Sequence, residues 1–251
     1  MKRLFVSLVT VLFLAAPALA RENPSLISQA DELFAGREVL SNCEKSVALY
    51  EKVLEVDPQN YEAAWKIARS LKFLGDKYPT GDERIEILKK GEELAKKAVE
   101  INPQGVDGHF WLGVCLGRIG EERGVLNSLF MVGPIKDEME AVLKTEPQHD
   151  GAHHVLGVLY RKAPGWPLSS GDINKAEEHA LLAVKYGPNR TLNHLGLAEV
   201  YIARDKNKEA KEELLIVINL PLEPDRIPED TNDKARGEEL LKQVNEKLAE
   251  Q

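Results

Sequence analysis

Residues 144–160, KTEPQHDGAHHVLGVLY, contain the pattern that decides the fold. Pro147 ends one helical segment, because proline cannot continue a helix and disfavours the helical conformation of the residue before it. Beyond the turn, four residues follow the i, i+3, i+4, i+7 spacing of one helix face: His153, Leu156, Gly157 and Tyr160. The stretch therefore predicts a helix end, a turn and a second helix with one buried face.

The same stop signal recurs along the chain at nearly constant intervals. Prolines end helical segments at four points separated by 45, 44 and 41 residues: Pro58, Pro103, Pro147 and Pro188. Ten residues after each proline lies a small residue, which lets a partner helix approach closely: Ala68, Gly113, Gly157 and Ala198. An apolar partner face precedes each proline, so the chain is predicted to consist of repeated helix–turn–helix units.

Three features of these units resemble the tetratricopeptide repeat (TPR), whose period is 34 residues. They are the Leu156-Gly157-x-x-Tyr160 pattern, the alanines at positions 176, 180 and 183, and the closing Pro188. The resemblance implies an all-α, TPR-like right-handed solenoid of about five hairpins, over residues 27–60, 61–105, 106–149, 150–190 and 191–224. A helix over about 230–249 is expected to cap the last repeat, which otherwise exposes its apolar seam. The chain departs from the TPR pattern at Arg37, where an aromatic residue is expected.

The first twenty residues have the three-part layout of a secretory signal peptide. Lys2 and Arg3 precede an apolar run over residues 4–16, and the small residues of 18–20 close the segment. We therefore expect residues 1–20 to be cleaved, leaving residues 21–251 as an exported, soluble solenoid domain in the periplasm. No later segment is apolar for 18 residues, so the mature protein is not expected to span a membrane.

The connections inside the second, third and fourth units are lengthened, near residues 76–85, 124–133 and 163–171. Together with Gly165-Trp166-Pro167 and Gly171-Asp172, they are similar to the T component associated with TRAP-type solute transporters. This resemblance implies a solute-binding subunit of a transporter as the protein partner. Members of that family are typically lipid-anchored. In this chain the residue directly after the expected cleavage point is Arg21, so the cysteine that would carry a lipid is missing there.

Composition and motifs argue against several function classes. The 251 residues carry 33 lysines and arginines against 41 aspartates and glutamates, and no basic block that would neutralise phosphates, so nucleic acid is not an expected partner. The sequence has no catalytic serine motif and no phosphate-binding glycine loop, which predicts a noncatalytic protein without cofactors.

His149, His153 and His154 lack the further ligands of a metal site, so a structural role is expected. Cys43 and Cys115 match no metal or redox spacing; an oxidising compartment would permit a disulfide between them, and two unpaired structural thiols are the default expectation.

The candidate binding surface is the face of each first helix offset by one residue from its buried face. It carries aromatic and cationic side chains on an otherwise acidic protein: Trp65, Arg69 and Lys72; Phe110, Val114 and Arg118; His154, Arg161 and Lys162. Arginine and lysine clamp carboxylates, and aromatic rings supply rigid apolar contact. The pattern predicts a concave groove for an extended peptide, the C-terminus of a polypeptide or an acidic ligand. The alternative is a solvated helix face whose charges form local pairs.

Two further functions remain open from the sequence. The loops around Phe130 and Trp166 carry apolar side chains and, by folding over the groove, would make the chain a small-ligand binding protein. The third hypothesis is an assembly or stability factor of the cell envelope without a defined ligand. The sequence does not fix the oligomeric state, and a homo-oligomer is left open.

Overall fold

The computed structural model describes residues 16–124 and 129–250. Most of the predicted signal peptide, residues 1–15, lies outside the described residues. Those ranges hold eleven α-helices and no β-strand, which confirms the all-α fold class. The helices are α1 (Ala16–Ala35), α2 (Leu40–Val56), α3 (Tyr61–Lys77), α4 (Asp82–Ile101), α5 (Val106–Arg123), α6 (Val132–Thr145), α7 (Asp150–Lys162), α8 (Ile173–Tyr186), α9 (Thr191–Ala203), α10 (Asn207–Asn219) and α11 (Ile227–Ala249).

Consecutive helices pack as antiparallel hairpins, α1 with α2 through α9 with α10, and α11 packs on the last hairpin. The small residues allow the close approach that the sequence predicts. A methyl group on Gly157 would lie 3.4 Å from the backbone of both Ala176 and Ala180, so α7 and α8 nearly touch at this point. The buried residues form three clusters along the solenoid, across α1–α3, across α3–α9 and across α9–α11.

Three histidines in equivalent repeat positions fasten the first helix of a hairpin to the preceding turn. Their Nε2–H groups donate to the carbonyl of the proline six residues earlier, at 2.8 to 3.1 Å: His109 to Pro103, His153 to Pro147 and His194 to Pro188. Their Nδ1 atoms face the second helix of the same hairpin, at Glu138, His179 and Glu213 respectively. Burial lowers the pKa of His194, but its bonds to Glu213 and the Pro188 carbonyl outweigh burial and raise that pKa above the ordinary value.

The hydrogen bonds of these histidines show a structural use of the ring. His149, another histidine of the suspected cluster, caps α7 by accepting a hydrogen bond from the Ala152 N–H at 3.1 Å. Among the described residues, histidines, cysteines and carboxylates do not gather into a group that could hold a metal ion. Cys43 and Cys115 are buried and unpaired, as the sequence predicts.

The lengthened loops place large apolar side chains in solvent. Phe130, in the short 3-10 helix of residues Leu129–Met131, is 83% exposed, and Trp166 is 90% exposed. Val132, next to this short helix, is buried in the core. The exposure of both rings gives no support to a loop-closed ligand pocket. Across the described ranges we find no helix with the length and apolar character needed to cross a membrane.

Candidate functional site

The predicted groove residues lie on α3, α5 and α7, the first helices of the second, third and fourth hairpins. We use "inner wall" for the face of these helices that carries the nine residues from Trp65 to Lys162 predicted above. α3 packs against α5, and α7 against α9, while α5 and α7 meet through the Lys162–Glu121 ion pair and the Phe110 ring on Gly151. These contacts bring the predicted residues of successive repeats onto one surface.

Most cations of the inner wall are already paired with acids. Lys72 and Arg118 both contact the Asp76 carboxylate at 2.8 Å, which joins α3 to α5. Arg118 also pairs with Glu121, and Glu121 accepts a hydrogen bond from Lys162 of α7 at 2.5 Å. Burial raises the pKa of Asp76, but the two cations outweigh it and lower that pKa below its usual range. On this part of the wall the charges therefore form local pairs, which is the alternative to a free binding groove.

Arg161 continues the same arrangement toward the C-terminus. Its guanidinium donates to Glu199 of α9 at 2.5 Å, and Glu199 lies 4.0 Å from Arg236 of α11. At the other end, Arg69 stacks on the Phe34 ring at 3.9 Å and lies 3.7 Å from Asp31. Ion pairs thus link every neighbouring pair of first helices from α1 to α9, and α9 to α11.

The aromatic residues of the wall mainly fill gaps between helices. The Phe110 ring lies 4.7 Å from the His149 ring and packs on Gly151, where a methyl group would overlap it. Trp65 is half-buried beneath the Arg69 guanidinium, and Val114 is half-buried on α5. The His154 ring rests against Gly196 of α9. Burial, together with the nearby charge of Arg161, lowers the pKa of His154 to about 4.

The sequence did not predict the most completely bound cation, Arg37, in the connection between α1 and α2. Its side chain is 4% exposed and donates to both carboxylate oxygens of Glu229, at 3.1 and 2.6 Å. It also donates to the carbonyls of Asp225 at 2.5 Å and Phe34 at 3.2 Å. The Phe34 and Phe73 rings flank the guanidinium, at 4.6 and 5.5 Å. We call this cluster the Arg37 site.

Glu229 and Asp225 belong to residues 220–230, the closing segment, which connects α10 to the first turn of α11. This segment touches the first hairpin at the Arg37 site and the fifth hairpin at Thr191. The Thr191 hydroxyl lies 2.9 Å from the Asp230 carboxylate, and Asp230 also accepts the Glu223 N–H at 2.9 Å. The closing segment therefore bridges the first and last hairpins, and the charge of its Arg226 contributes to lowering the pKa of His154 on the inner wall.

Sequence reasoning could have found only part of this bridge. Arg37 stood out as a charged residue at an aromatic position, and the structure places it on the two phenylalanine rings. Pro221 is a weak helix stop in the sequence, but nothing in its spacing from the other prolines indicates that the residues after it reach a residue 192 positions earlier.

Asp233 gives the bridge a pH dependence. The Thr191 hydroxyl has one proton but lies within 2.9 Å of both Asp230 and Asp233, so the second contact requires a protonated carboxyl group. Burial raises the pKa of Asp233 to about 6; Asp230 adds to this rise, while the Thr191 hydrogen bond and the charges of Arg226 and Lys72 oppose it.

Asp233→Asn should therefore stabilise the protein at neutral pH. With its pKa raised on folding, Asp233 favours the folded state below pH 4, and this contribution is lost as pH rises through about 6. Asparagine does not ionise, so we expect a gain of about 1 kcal/mol in the free energy of unfolding at pH 7.5 and none at pH 4. Urea unfolding at both values measures this gain. Glu238→Gln, at an exposed position of the same helix, is the control; an equal gain there, or a gain at pH 4, would contradict the assignment.

Fold and site together define the class: a TPR-like α-solenoid with a charge-paired inner wall and a closing segment across it. Solved TPR structures share the fold. A thermophilic TPR protein of Thermus thermophilus superposes with a TM-score of 0.67 at 17% identity, covering 87% of this chain and 98% of that one. PilF of Pseudomonas aeruginosa superposes with a TM-score of 0.54 at 14% identity, and the match covers 91% of this chain and 99% of PilF.

The sequence comparison identifies the family. The family described as Regulator of microtubule dynamics protein 1-3 matches residues 26–163, more than half of the chain, and the chain belongs to this family. Regulator of microtubule dynamics protein 1 of Bos taurus is 24% identical over 163 residues, which cover 59% of this chain and 51% of that protein. The Mus musculus protein of the same name is 23% identical over 158 residues, which cover 59% of this chain and 52% of that protein. The chain thus spans about half the length of the curated relatives it matches.

Proposed function

We propose that this protein is a noncatalytic scaffold whose inner wall binds a segment of a protein partner. One observation carries the proposal: the protein's own residues 220–230 are held by side-chain bonds to Arg37 and Thr191, and Arg226 of this segment lies near enough to His154 of the inner wall to contribute to lowering the pKa of that histidine. A surface that binds one segment through a guanidinium and a hydroxyl has the chemistry to bind another. The relatives and the structural neighbours carry the names of regulators and TPR proteins, which supports a binding role.

Two settings have separate support. The predicted signal peptide and the likeness to the transporter T component favour the periplasm, with a solute-binding subunit of a TRAP-type transporter as the partner. The names of the relatives favour a second candidate, the regulation of a microtubule-like polymer. The mass of the protein purified from its native host separates these settings. A mature protein that begins at residue 21 supports export, and an uncleaved protein that sediments with polymerised tubulin supports the second candidate.

Photo-crosslinking tests whether the inner wall is the binding surface. A photoreactive amino acid replaces Val114 or Val158, half-buried residues of α5 and α7 on the inner wall, in the full-length protein. Because a bound segment would lie against these positions, we expect each to form the same discrete adduct in native extract. Gel mobility and mass spectrometry of the adducts measure this.

The matched control is Leu181, which is 45% exposed on α8, the second helix of its hairpin. The proposal requires that a photoreactive residue at position 181 does not form the adduct. An adduct that forms from position 181, and from neither wall position, would move the binding surface to the second helices and overturn the proposal.

A further inference from the structure

The closing segment has the composition of a ligand for a basic surface. Residues 220–230 carry four carboxylates, one arginine and three prolines. Proline fixes φ, which lowers the entropy lost when such a segment is held on a surface. The carboxylates of Glu229 and Asp230 make the contacts to the first and last hairpins. An acidic, proline-rich segment is therefore the kind of polypeptide that the Arg37 site accepts.

The Arg37 site is built around a carboxylate. The two parallel bonds from the guanidinium to Glu229 are the fork-to-fork geometry that arginine forms with carboxylates and lysine does not. Phe34 and Phe73 fix the plane of the guanidinium, so the site stays oriented when the carboxylate leaves. Glu229, by contrast, is 30% exposed and reaches water. The cation is thus held rigidly while the acid lies at the surface.

Two arginines of the inner wall have unsatisfied donors. The buried Nε–H groups of Arg69 and Arg161 have no acceptor within the ranges that the structure describes. Both arginines use their other nitrogens in pairs with acids of neighbouring helices. The Nε–H groups are closed to solvent, so a carbonyl or carboxylate oxygen of a bound segment reaches them only when the side chains move.

We propose that the closing segment is an internal ligand of the Arg37 site beside the inner wall, and that the partner's bound segment is acidic and displaces it by placing its own carboxylate in the Arg37 site. This inference rests on the proposed function and names the chemistry of its partner. Displacement leaves the fold intact, because Leu240 and Val244 of α11 are buried against the last hairpin and hold α11 there. Residues 220–229 then open as a loop between α10 and the Asp230 contact.

An internal ligand lowers the apparent affinity of any external one. A tethered segment competes at an effective concentration in the millimolar range, so an external segment binds only the open fraction of the protein. Glu229→Gln removes the charge that holds the segment but leaves the Arg37 site intact. We expect this variant to bind an external acidic segment about tenfold more tightly than the unmodified protein does.

The probe is a fluorescein-labelled peptide with the sequence of residues 220–230, and fluorescence anisotropy with the full-length protein measures its affinity. The E229Q protein should bind it about tenfold more tightly than the unmodified protein. The same peptide with glutamine at the position of Glu229 should lose this gain. R37K also releases the segment but lacks the bidentate fork, so it should not bind the peptide.

Equal affinity of the E229Q and unmodified proteins, or equal binding of the two peptides, would overturn the inference. Hydrogen exchange of the unmodified protein gives a test that does not depend on a variant folding. Excess peptide should speed exchange at residues 222–230 and leave α3 and α5 unchanged; no change at residues 222–230 would contradict displacement.

If the inner-wall crosslink forms and the peptide does not compete with it, the internal-ligand inference fails while the proposed function stands. If no inner-wall crosslink forms, the proposed function itself fails.

Discussion

Replacing Gly157 with leucine is expected to lower the free energy of unfolding by about 3 kcal/mol, the upper end for overpacking a tight core. Gly157 faces the backbone of α8, where even a methyl group would meet Ala176 and Ala180 at 3.4 Å. Backbone atoms cannot move aside as a flexible side chain does, so α7 and α8 would have to separate. Urea unfolding followed by circular dichroism measures the loss.

Gly117→Leu is the matched control for this substitution. Gly117 also lies inside a first helix, α5, but no heavy atom lies within 4 Å of the place where its Cβ would be. Leucine has the higher helix propensity, so this variant should be unchanged or more stable by about 0.5 kcal/mol. Equal losses at the two positions would mean that helix packing does not set the requirement for a small residue at Gly157.

The periodic part of the fold could be predicted from the sequence because it is encoded locally. Proline stops and small residues act within one hairpin, so their spacing shows where helices end and which faces meet. The recurrence of His109, His153 and His194 follows from the same rule, since each ring bonds to a proline only six residues away. The sequence therefore predicted the all-α solenoid without information on distant contacts.

The candidate site was harder to predict because its partners are distant in sequence. The spacing of Lys72, Arg118 and Lys162 predicts one charged surface, but it does not show that Asp76 and Glu121 neutralise these charges. The bridge from Arg37 to Glu229 depends on how tightly the hairpins curve, and that curvature is the sum of small rotations between hairpins. No single repeat carries this information, so the closing segment was treated only as a weak helix stop.

The Arg37–Glu229 pair should show unequal losses when each partner is replaced. Glu229→Gln leaves a cation that is 4% exposed without a counter-charge, and we expect a loss of about 2 kcal/mol in the free energy of unfolding. Arg37→Met keeps the contact with the phenylalanine rings and leaves a carboxylate that reaches water, so the loss should be about 1 kcal/mol. The double variant should lose about 1 kcal/mol rather than the sum, because it contains no unpaired buried charge.

Urea unfolding of all four proteins completes this double-mutant cycle, and the closing segment makes its outcome informative. Additive losses would mean that the two side chains do not interact, which would remove the physical basis of the bridge. A larger loss for Arg37→Met than for Glu229→Gln would show that the bonds from the guanidinium to the Phe34 and Asp225 carbonyls outweigh the pair with Glu229. A larger loss for Glu229→Gln than for Arg37→Met instead requires that the carboxylate of Glu229 neutralises a buried cation. Any acidic segment that displaces Glu229 must then supply the same charge.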